Sequence, residues 1–121
     1  MARSFTYIDD AIESVEKIIF KIPSNENHDQ NIELKANNSW APYKIFNIGN
    51  SNPTPLMDFI NAIEDELDKK AIKEYLPMQP GDVQATESDA KSLEKWINFK
   101  PNTSIQDGIS KFISWYKDYY K

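Results

Sequence analysis

Apolar residues recur every three or four positions near the start of the chain, which is the period of an amphipathic helix. The stripe consists of Ile8, Ala11, Ile12, Val15, Ile18 and Ile19. Asp9 or Asp10 is predicted to cap this helix, because a carboxylate there can accept from the free amides of the first turn. Pro23 is expected to end the helix, and the polar residues 24–41 are predicted to form an exposed loop.

Three more helices are predicted further along the chain. Thr54 and Pro55 indicate one start, because a capping hydroxyl precedes a proline suited to the first helical position. Ser88 is predicted to cap a short helix, and Ser104, with Asp107 three residues later, to cap the last one as a variant capping box. Their apolar stripes are, in order, Leu56, Phe59, Ile60, Ile63 and Leu67; Leu93, Trp96 and Ile97; and Ile105, Ile109, Phe112, Ile113, Tyr116 and Tyr120.

Two short strands are predicted between the helices. Residues 43–48 contain the adjacent apolar pair Ile45 and Phe46, which suits a strand covered on both faces, as in a parallel sheet. Residues 73–76 form the second predicted strand, and residues 77–85 are expected to be an irregular loop.

The length of 121 residues suits one small domain, residues 1–121, of the α/β (or α+β) class with three to four helices and two or three short strands. The net charge of −5 argues against a nucleic-acid partner, whose footprint is a basic face. The chain contains no cysteine, which excludes disulfides and thiolate zinc sites. Neither a membrane-length apolar run nor a signal peptide is evident, so no membrane partner is expected and the cytoplasm is the predicted location.

Residues that usually carry catalysis or bind metals are sparse. His28 stands alone in the polar loop, so no catalytic triad is predicted. The acidic runs at 9–10 and 64–66 lack the spacing of a calcium loop and are expected to be solvated. The three glycines are too far apart for a dinucleotide-binding turn, and no tyrosine is followed four residues later by lysine. No catalytic residue, metal ligand or cofactor-binding residue is therefore assigned.

Three phrases, in order, carry a family resemblance. They are Arg-Ser-Phe-Thr-Tyr-Ile-Asp-Asp at 3–10, Tyr-Lys-Ile-Phe-Asn-Ile-Gly-Asn at 43–50 and Leu-Pro-Met-Gln-Pro-Gly-Asp-Val at 76–83. With the aromatic last helix, they resemble the C-terminal, substrate-binding portion of nucleotide-sugar epimerases, which are NAD-dependent extended short-chain dehydrogenases/reductases. The third phrase most resembles bacterial UDP-glucuronate 4-epimerases. The resemblance covers nearly the whole chain and implies the C-terminal lobe of that fold without its Rossmann half.

The resemblance also implies a UDP-sugar site. Arg3 stands where the family's arginine contacts the diphosphate, and a guanidinium fork suits two phosphate oxygens; a solvated terminal charge is the alternative. Gly81 lets the backbone approach the nucleotide, and Asp82 can accept hydrogen bonds from ribose hydroxyls or, equally, cap its own turn. The full set implied as substrate-binding is Arg3, Phe5, Gln79, Pro80, Gly81, Asp82 and Thr86.

The parent reaction needs machinery that these residues lack. In the family, an N-terminal Rossmann half holds NAD and a Tyr-x-x-x-Lys pair supplies the base. The first hypothesis is therefore the substrate-binding lobe of an epimerase whose parent reaction is 4-epimerisation of UDP-glucuronate. Without the missing Rossmann half, such a lobe is expected to be inactive and to bind the UDP-sugar weakly. The alternative is a non-catalytic interaction or oligomerising module from a truncated or split gene, which the Met-Ala start also suits.

A homo-oligomer is the expected assembly. In the family, the strand corresponding to residues 43–48 joins the sheet of the Rossmann half. Without that sheet its edges would be unpaired, which is a template for pairing with another chain. Ile45, Phe46 and Ile48 would also leave apolar surface uncovered. The alternative is a monomer in which the last helix folds over this strand.

Overall fold

The computed structural model describes residues 1–23 and 42–121. The predicted α/β class is confirmed, with four helices in the described part of the chain. The predicted loop at 24–41, with His28, lies outside the described residues. The elements are β1 (Ala2–Arg3), α1 (Ile8–Ile19), β2 (Thr54–Pro55), α2 (Leu56–Leu67), β3 (Ala85–Thr86), α3 (Lys91–Ile97) and α4 (Ile105–Tyr119).

The sheet is small, and β1 forms its centre. On one side β1 pairs antiparallel with β2, and on the other it pairs parallel with β3, so the strand order is β2-β1-β3. The Ala2 amide donates to the Gln84 carbonyl at 2.9 Å, and the Leu56 amide donates to the Met1 carbonyl at 3.0 Å. The first residues of the chain therefore join two segments that are distant in sequence.

Both strands predicted from apolar runs are wrong. In residues 43–48, Lys44 makes an isolated bridge and no strand is formed, and residues 73–76 have no regular structure. A strand needs a hydrogen-bonded neighbour as well as a suitable composition. Among residues 1–23 and 42–121, β2 and β3 already occupy both sides of β1.

The predicted cap of α4 is confirmed. Ser104 is the N-cap, and its hydroxyl oxygen accepts from the Asp107 amide at 3.1 Å. The same hydroxyl donates to Asp107 Oδ2 at 2.7 Å. This local exchange satisfies one of the free amides of the first turn, as the spacing of Ser104 and Asp107 predicts.

The predicted caps of the other three helices are wrong. The N-cap residues of α1, α2 and α3 are Tyr7, Pro55 and Ala90, and none of them makes a side-chain cap hydrogen bond. Thr54 is instead part of β2, and it is the partner of Arg3 in the antiparallel pairing with β1. Asp10 lies inside the first turn of α1 and bonds to a distant segment.

That bond is a buried polar clamp between the starts of α1 and α4. Asp10 is only 8% exposed. Its Oδ2 accepts from the Thr103 amide at 2.9 Å, and its Oδ1 accepts from the Thr103 hydroxyl at 2.8 Å. Hydrogen bonds to a charged group in a protected site are among the stronger ones in proteins.

The second resemblance phrase joins the same clamp through Asn50. The Asn50 amide donates to the Thr6 hydroxyl at 3.1 Å, and its side-chain Nδ2 donates to the Thr103 carbonyl at 3.3 Å. The neighbouring Gly49 packs so closely that a Cβ there would lie 2.7 Å from the Cβ of Ser88. Glycine is therefore required by the close approach of two segments.

The buried side chains of α1 are polar, and most of its apolar side chains are exposed. Its two buried side chains, Asp10 and Ser14, are polar. The apolar side chains Ile8, Ile12, Val15 and Ile19 are 43% to 62% exposed and follow one another at helical spacing. The buried apolar core of the described residues is correspondingly small: Ala90, Leu93, Ile109 and Ile113. A stripe of this kind normally faces another part of a protein.

A second buried carboxylate, Glu64, closes the end of α2 and is 4% exposed. Its Oε1 accepts from the Ala71 amide at 2.8 Å and from Lys73 Nζ, while Lys70 Nζ lies 3.2 Å from Oε2. The hydrogen bond from Lys73 is the main reason that the pKa of Glu64 is lowered from 4.5 to about 2, against the opposing effect of desolvation. The hydrogen bond between Lys70 and Glu64 raises the pKa of Lys70.

Replacing Asp10 should test the clamp. Asp10→Ala leaves the Thr103 amide and hydroxyl without their acceptor, so we expect a loss of about 2–3 kcal/mol in the free energy of unfolding. Asp9→Ala is the matched control, because Asp9 is exposed and lies 3.9 Å from Lys111 in a surface ion pair worth less than about 1 kcal/mol. Urea unfolding followed by circular dichroism measures both. Equal effects of the two substitutions would contradict the clamp.

The contacts of Glu64 with Ala71, Lys70 and Lys73, here called the Glu64 cluster, should make the free energy of unfolding depend on pH in a defined window. Because folding lowers the pKa of Glu64 from 4.5 to about 2, its contribution is fully present above pH 4.5 and is lost as the pH falls through 2. Glu64→Gln should flatten this part of the stability profile, whereas Glu66→Gln, at an exposed position of the same helix, should leave it unchanged. Urea midpoints measured across this pH range provide the test. A profile that Glu64→Gln does not alter would refute the assignment.

Candidate functional site

Arg3 is held on β1 by the segment that precedes β3. Its Nη2 donates to Asp82 Oδ1 at 2.7 Å, and its Nη1 donates to the carbonyls of Val83 at 2.9 Å and Ala2 at 3.0 Å. The Arg3 side chain is 25% exposed and that of Asp82 is 36% exposed. Three of the five guanidinium N–H groups are used in these bonds, which hold the group in place. The other two have no partner among the described residues.

Residues 79–82 form a tight turn beside this arginine. The Asp82 amide donates to the Gln79 carbonyl at 3.2 Å, and Gly81 has a φ of +88°. Proline followed by a residue with positive φ is the signature of a type II turn. No heavy atom lies within 4 Å of where a Gly81 Cβ would stand. The glycine is thus required by its backbone conformation, and the space beside it is open.

Asp82 stabilises the turn and the arginine at once. Its Oδ1 accepts from the Val83 amide at 2.8 Å as well as from Arg3. The sequence left turn capping and ligand contact as alternatives for this residue, and the geometry shows the capping contact with the Val83 amide. Its second oxygen accepts no hydrogen bond from residues 1–23 or 42–121.

The structure brings together six of the seven predicted site residues. Thr86 is the partner of Arg3 in the parallel β1–β3 pairing. The Ser4 hydroxyl donates to the Thr86 carbonyl at 3.4 Å, which adds a side-chain contact beside the β1–β3 pairing. The cluster formed by Arg3, the 79–82 turn and Thr86 is here called the arginine site. Its exposed turn residues leave it accessible from solvent.

Phe5 is not part of the arginine site. Its ring stacks on Phe59 of α2 with 4.2 Å between centroids and 14° between planes. It lines a separate apolar cavity of about 340 Å³ between the start of α1, α2 and α4. Sequence reasoning missed this cavity. The available signal was Gly108 within the apolar stripe of α4, because a Cβ there would lie 3.3 Å from the Tyr7 ring.

The described ranges lack two further kinds of site, a cluster of metal ligands and a membrane-spanning helix. No group of three histidine, cysteine or acidic side chains is arranged there to hold a metal ion. None of the helices in the same ranges is both long and apolar enough to cross a membrane.

Comparisons with known proteins point to one family. The chain matches no family model. It is 45% identical over all 121 residues to "Protein CapI" of Staphylococcus aureus, of which it covers 36%. It is 37% identical over 124 aligned residues to a "Probable UDP-glucuronate 4-epimerase" of Rhizobium meliloti, again covering 36%. The chain thus spans about a third of the length of these relatives.

Solved structures agree with the sequence comparison. The chain aligns with UDP-glucuronic acid 4-epimerase from Bacillus cereus, solved with UDP-glucuronic acid and NAD, at a TM-score of 0.68 and 25% identity, covering 97% of this chain and 32% of that one. UDP-glucose 4-epimerase from Bifidobacterium longum, solved with NAD+ and UDP, shares the fold at a TM-score of 0.70 and 18% identity, with 95% and 30% covered. By sequence and fold, the chain is similar to the C-terminal part of nucleotide-sugar epimerases of the extended short-chain dehydrogenase/reductase family.

Proposed function

We propose that this chain supplies the nucleotide-binding surface of a UDP-sugar epimerase, and that the parent reaction is 4-epimerisation of UDP-glucuronate. The observation that carries the proposal is the fixed guanidinium of Arg3 beside the open 79–82 turn. In this role Arg3 binds the diphosphate, and the turn lies against the ribose. Gln79, Pro80 and Thr86 shape the surface around them.

The chemistry of the arginine site suits a nucleoside diphosphate. A guanidinium presents paired donors that match two phosphate oxygens, and such charge-assisted bonds are about twice as strong as neutral ones. The carbonyl of Val83 and the carboxylate of Asp82 already orient the group, so less freedom is lost on binding. Asp82 Oδ2, which accepts no hydrogen bond within the described part of the chain, offers an acceptor for a ribose hydroxyl.

Phe5 takes a different part in the proposal from the one that the resemblance implies. Its stack on Phe59 fixes the extended segment that follows Arg3. It therefore supports the arginine site from behind and need not touch the nucleotide. The Bacillus cereus enzyme solved with UDP-glucuronic acid supports the choice of ligand class, since 97% of this chain aligns with it.

The 121 residues do not fit NAD. Its pyrophosphate is normally cradled by a glycine-rich turn at a helix start, and the three glycines here stand at 49, 81 and 108. No step of the reaction is therefore assigned to these residues. We infer that a separate NAD-binding unit, like the remaining two-thirds of the relatives' length, must meet this surface for turnover.

The exposed apolar stripe of α1 is the proposed contact with that unit. Ile8, Ile12, Val15 and Ile19 form a continuous apolar face, while the opposite, polar face is buried by the Asp10 clamp. Apolar faces of this kind mark association sites, and burying one stabilises a complex roughly in proportion to its area. The clamp fixes which face of α1 points outward, so the orientation of the contact is built into the fold.

The second candidate function is an oligomerising module without catalysis. The exposed apolar faces of α1 and of α4, through Phe112, Trp115 and Tyr116, favour it. Residues 43–48 lack the expected strand but still expose Ile45, so pairing of two copies through this segment remains a separate proposal.

Arginine substitution should test the ligand. The chain alone is expected to bind UDP with a dissociation constant of about 1 mM or weaker, near 4 kcal/mol of binding free energy. Arg3→Ala should weaken binding by about tenfold or more, since it removes charge-assisted hydrogen bonds worth about 1.5–3 kcal/mol. Arg3→Lys should be intermediate because it keeps the charge and loses the fork. Lys100→Ala, at an exposed position away from the arginine site, is the control. Chemical-shift titration measures all four proteins, and unchanged shifts at 79–86 would contradict the proposal.

Reconstitution should test the partner. The remaining two-thirds of the Staphylococcus aureus relative, mixed with this chain, is expected to form a complex and to epimerise UDP-glucuronate when NAD is supplied, whereas neither part alone turns over. Ile12→Lys should weaken the complex about a hundredfold, because it places an unpaired charge in the apolar contact. Ile72→Lys, on a fully exposed side chain, is the matched control. Sedimentation velocity and product chromatography provide the readouts. A complex that Ile12→Lys leaves intact, or one made of two copies of this chain, would refute the assignment of α1.

A further inference from the structure

We propose that Glu64 is a positioning residue for the proposed nucleotide site, acting by anchoring the segment that carries the 79–82 turn. This inference rests on the proposed function for its effect on UDP, and on the described contacts for its effect on the turn. The segment, residues 68–84, runs from the end of α2 to the start of β3 without regular secondary structure beyond the turn.

The placement of Glu64 is unfavourable on local grounds. Glu64 lies in the last turn of α2, where the helix dipole presents its negative end. It is also only 4% exposed, and removing a carboxylate from water is costly unless it is paired and hydrogen-bonded. Glu66 lies in the same turn but is exposed, so it avoids the cost of burial. A buried carboxylate at this position therefore needs a compensating role.

That compensation comes from the segment that follows the helix. The Ala71 amide donates to Glu64 Oε1 at 2.8 Å, Lys73 donates to the same oxygen, and the Lys69 amide donates to the Glu64 carbonyl at 3.1 Å. Asp68 at the C-cap adopts a left-handed conformation with φ of +51°, which turns the chain back towards Glu64. The lowered pKa of Glu64 agrees with a carboxylate held by these donors. All three donors belong to the departing segment.

The rest of the segment has little else to hold it. Its large apolar side chains, Ile72, Tyr75, Leu76, Met78 and Val83, are all at least half exposed. Its far end is fixed by Arg3, through Asp82 and the Val83 carbonyl. Within the described residues the segment is therefore anchored by polar contacts near its two ends: Glu64 at one, and Arg3 with the Ala2 amide, which donates to the Gln84 carbonyl, at the other.

The size of the expected effect follows from chain entropy. With Lys73 anchored, residues 74–81 are free between the two anchors; without the side-chain contacts of Glu64, the free span extends from 70 to 81, because the Lys69 amide still bonds to the Glu64 carbonyl. The cost of closing a loop rises with the logarithm of its length, so the longer span makes the closed turn about twofold less probable. UDP binding that needs the closed turn should weaken by about the same factor.

The experiment compares Glu64→Gln with the milder Lys73→Met, and uses Glu66→Gln as the control. Amide hydrogen exchange without ligand reports the turn directly, through the Asp82 amide and its bond to Gln79. We expect exchange at Asp82 to quicken about twofold in Glu64→Gln and by a smaller factor in Lys73→Met, which keeps the contacts of Glu64 with Ala71 and Lys70, with Ile109 and Ile113 in the core unchanged. Affinity for UDP should fall in the same order and by no more than about these factors, and the control should match the parent chain.

The possible failures can be told apart. If the parent chain binds no UDP, the proposed function fails, and exchange at Asp82 still decides whether Glu64 anchors the turn. If Glu64→Gln does not fold, Lys73→Met gives the answer, because Glu64 keeps its contacts with Ala71 and Lys70. Unchanged exchange at Asp82 in the folded variants would overturn the proposal. So would faster exchange of the core and the turn in equal measure, which is the result of a merely structural role.

Discussion

The carboxylate of Asp10 is the interaction on which the arrangement of this chain depends. It accepts two hydrogen bonds from Thr103, a residue 93 positions later in the sequence, and it does so in a nearly buried place. A carboxylate in such surroundings is stable only when its acceptors are filled, so moving the start of α4 away from α1 breaks two hydrogen bonds to a group that is shielded from water. The Asn50 side chain bonds to the same segment through the Thr103 carbonyl and brings the 49–50 turn to this point.

This clamp explains why the helix α1 presents an apolar face to solvent. With Asp10 and Ser14 turned inward, only Ala11 and Ile18 of the apolar stripe are half-buried, and Ile8, Ile12, Val15 and Ile19 point outward. The buried apolar residues of the described ranges belong to α3, its N-cap and α4, and they form a core that is small for a domain of this length. Polar contacts therefore hold the interior of the chain together, while apolar side chains remain exposed on its surface. This arrangement is expected of a domain that packs against another domain.

The arginine site and the Glu64 cluster share one physical principle. Each uses a charged group to hold a segment that has too few buried apolar side chains to fix itself. Arg3 holds the end of the 68–84 segment from β1, and Glu64 holds its beginning from α2. The segment carries an exposed type II turn between them, and a turn fixed at both ends loses less conformational freedom when it meets a ligand.

The sequence by itself determined the helices, the cap of α4 and the 79–82 turn, because each of these is decided by residues within four positions of one another. The four apolar periodicities correspond to the four helices, and the order Pro80-Gly81 corresponds to the positive φ of Gly81. The resemblance of three phrases also placed Arg3, Asp82 and Thr86 in one site. Only the tertiary structure decided which segments pair as strands, since a strand depends on a neighbour that local composition does not specify. It likewise decided the partners of Asp10 and Glu64, because a carboxylate that looks solvated in the sequence becomes structural only when distant or departing chain supplies its donors.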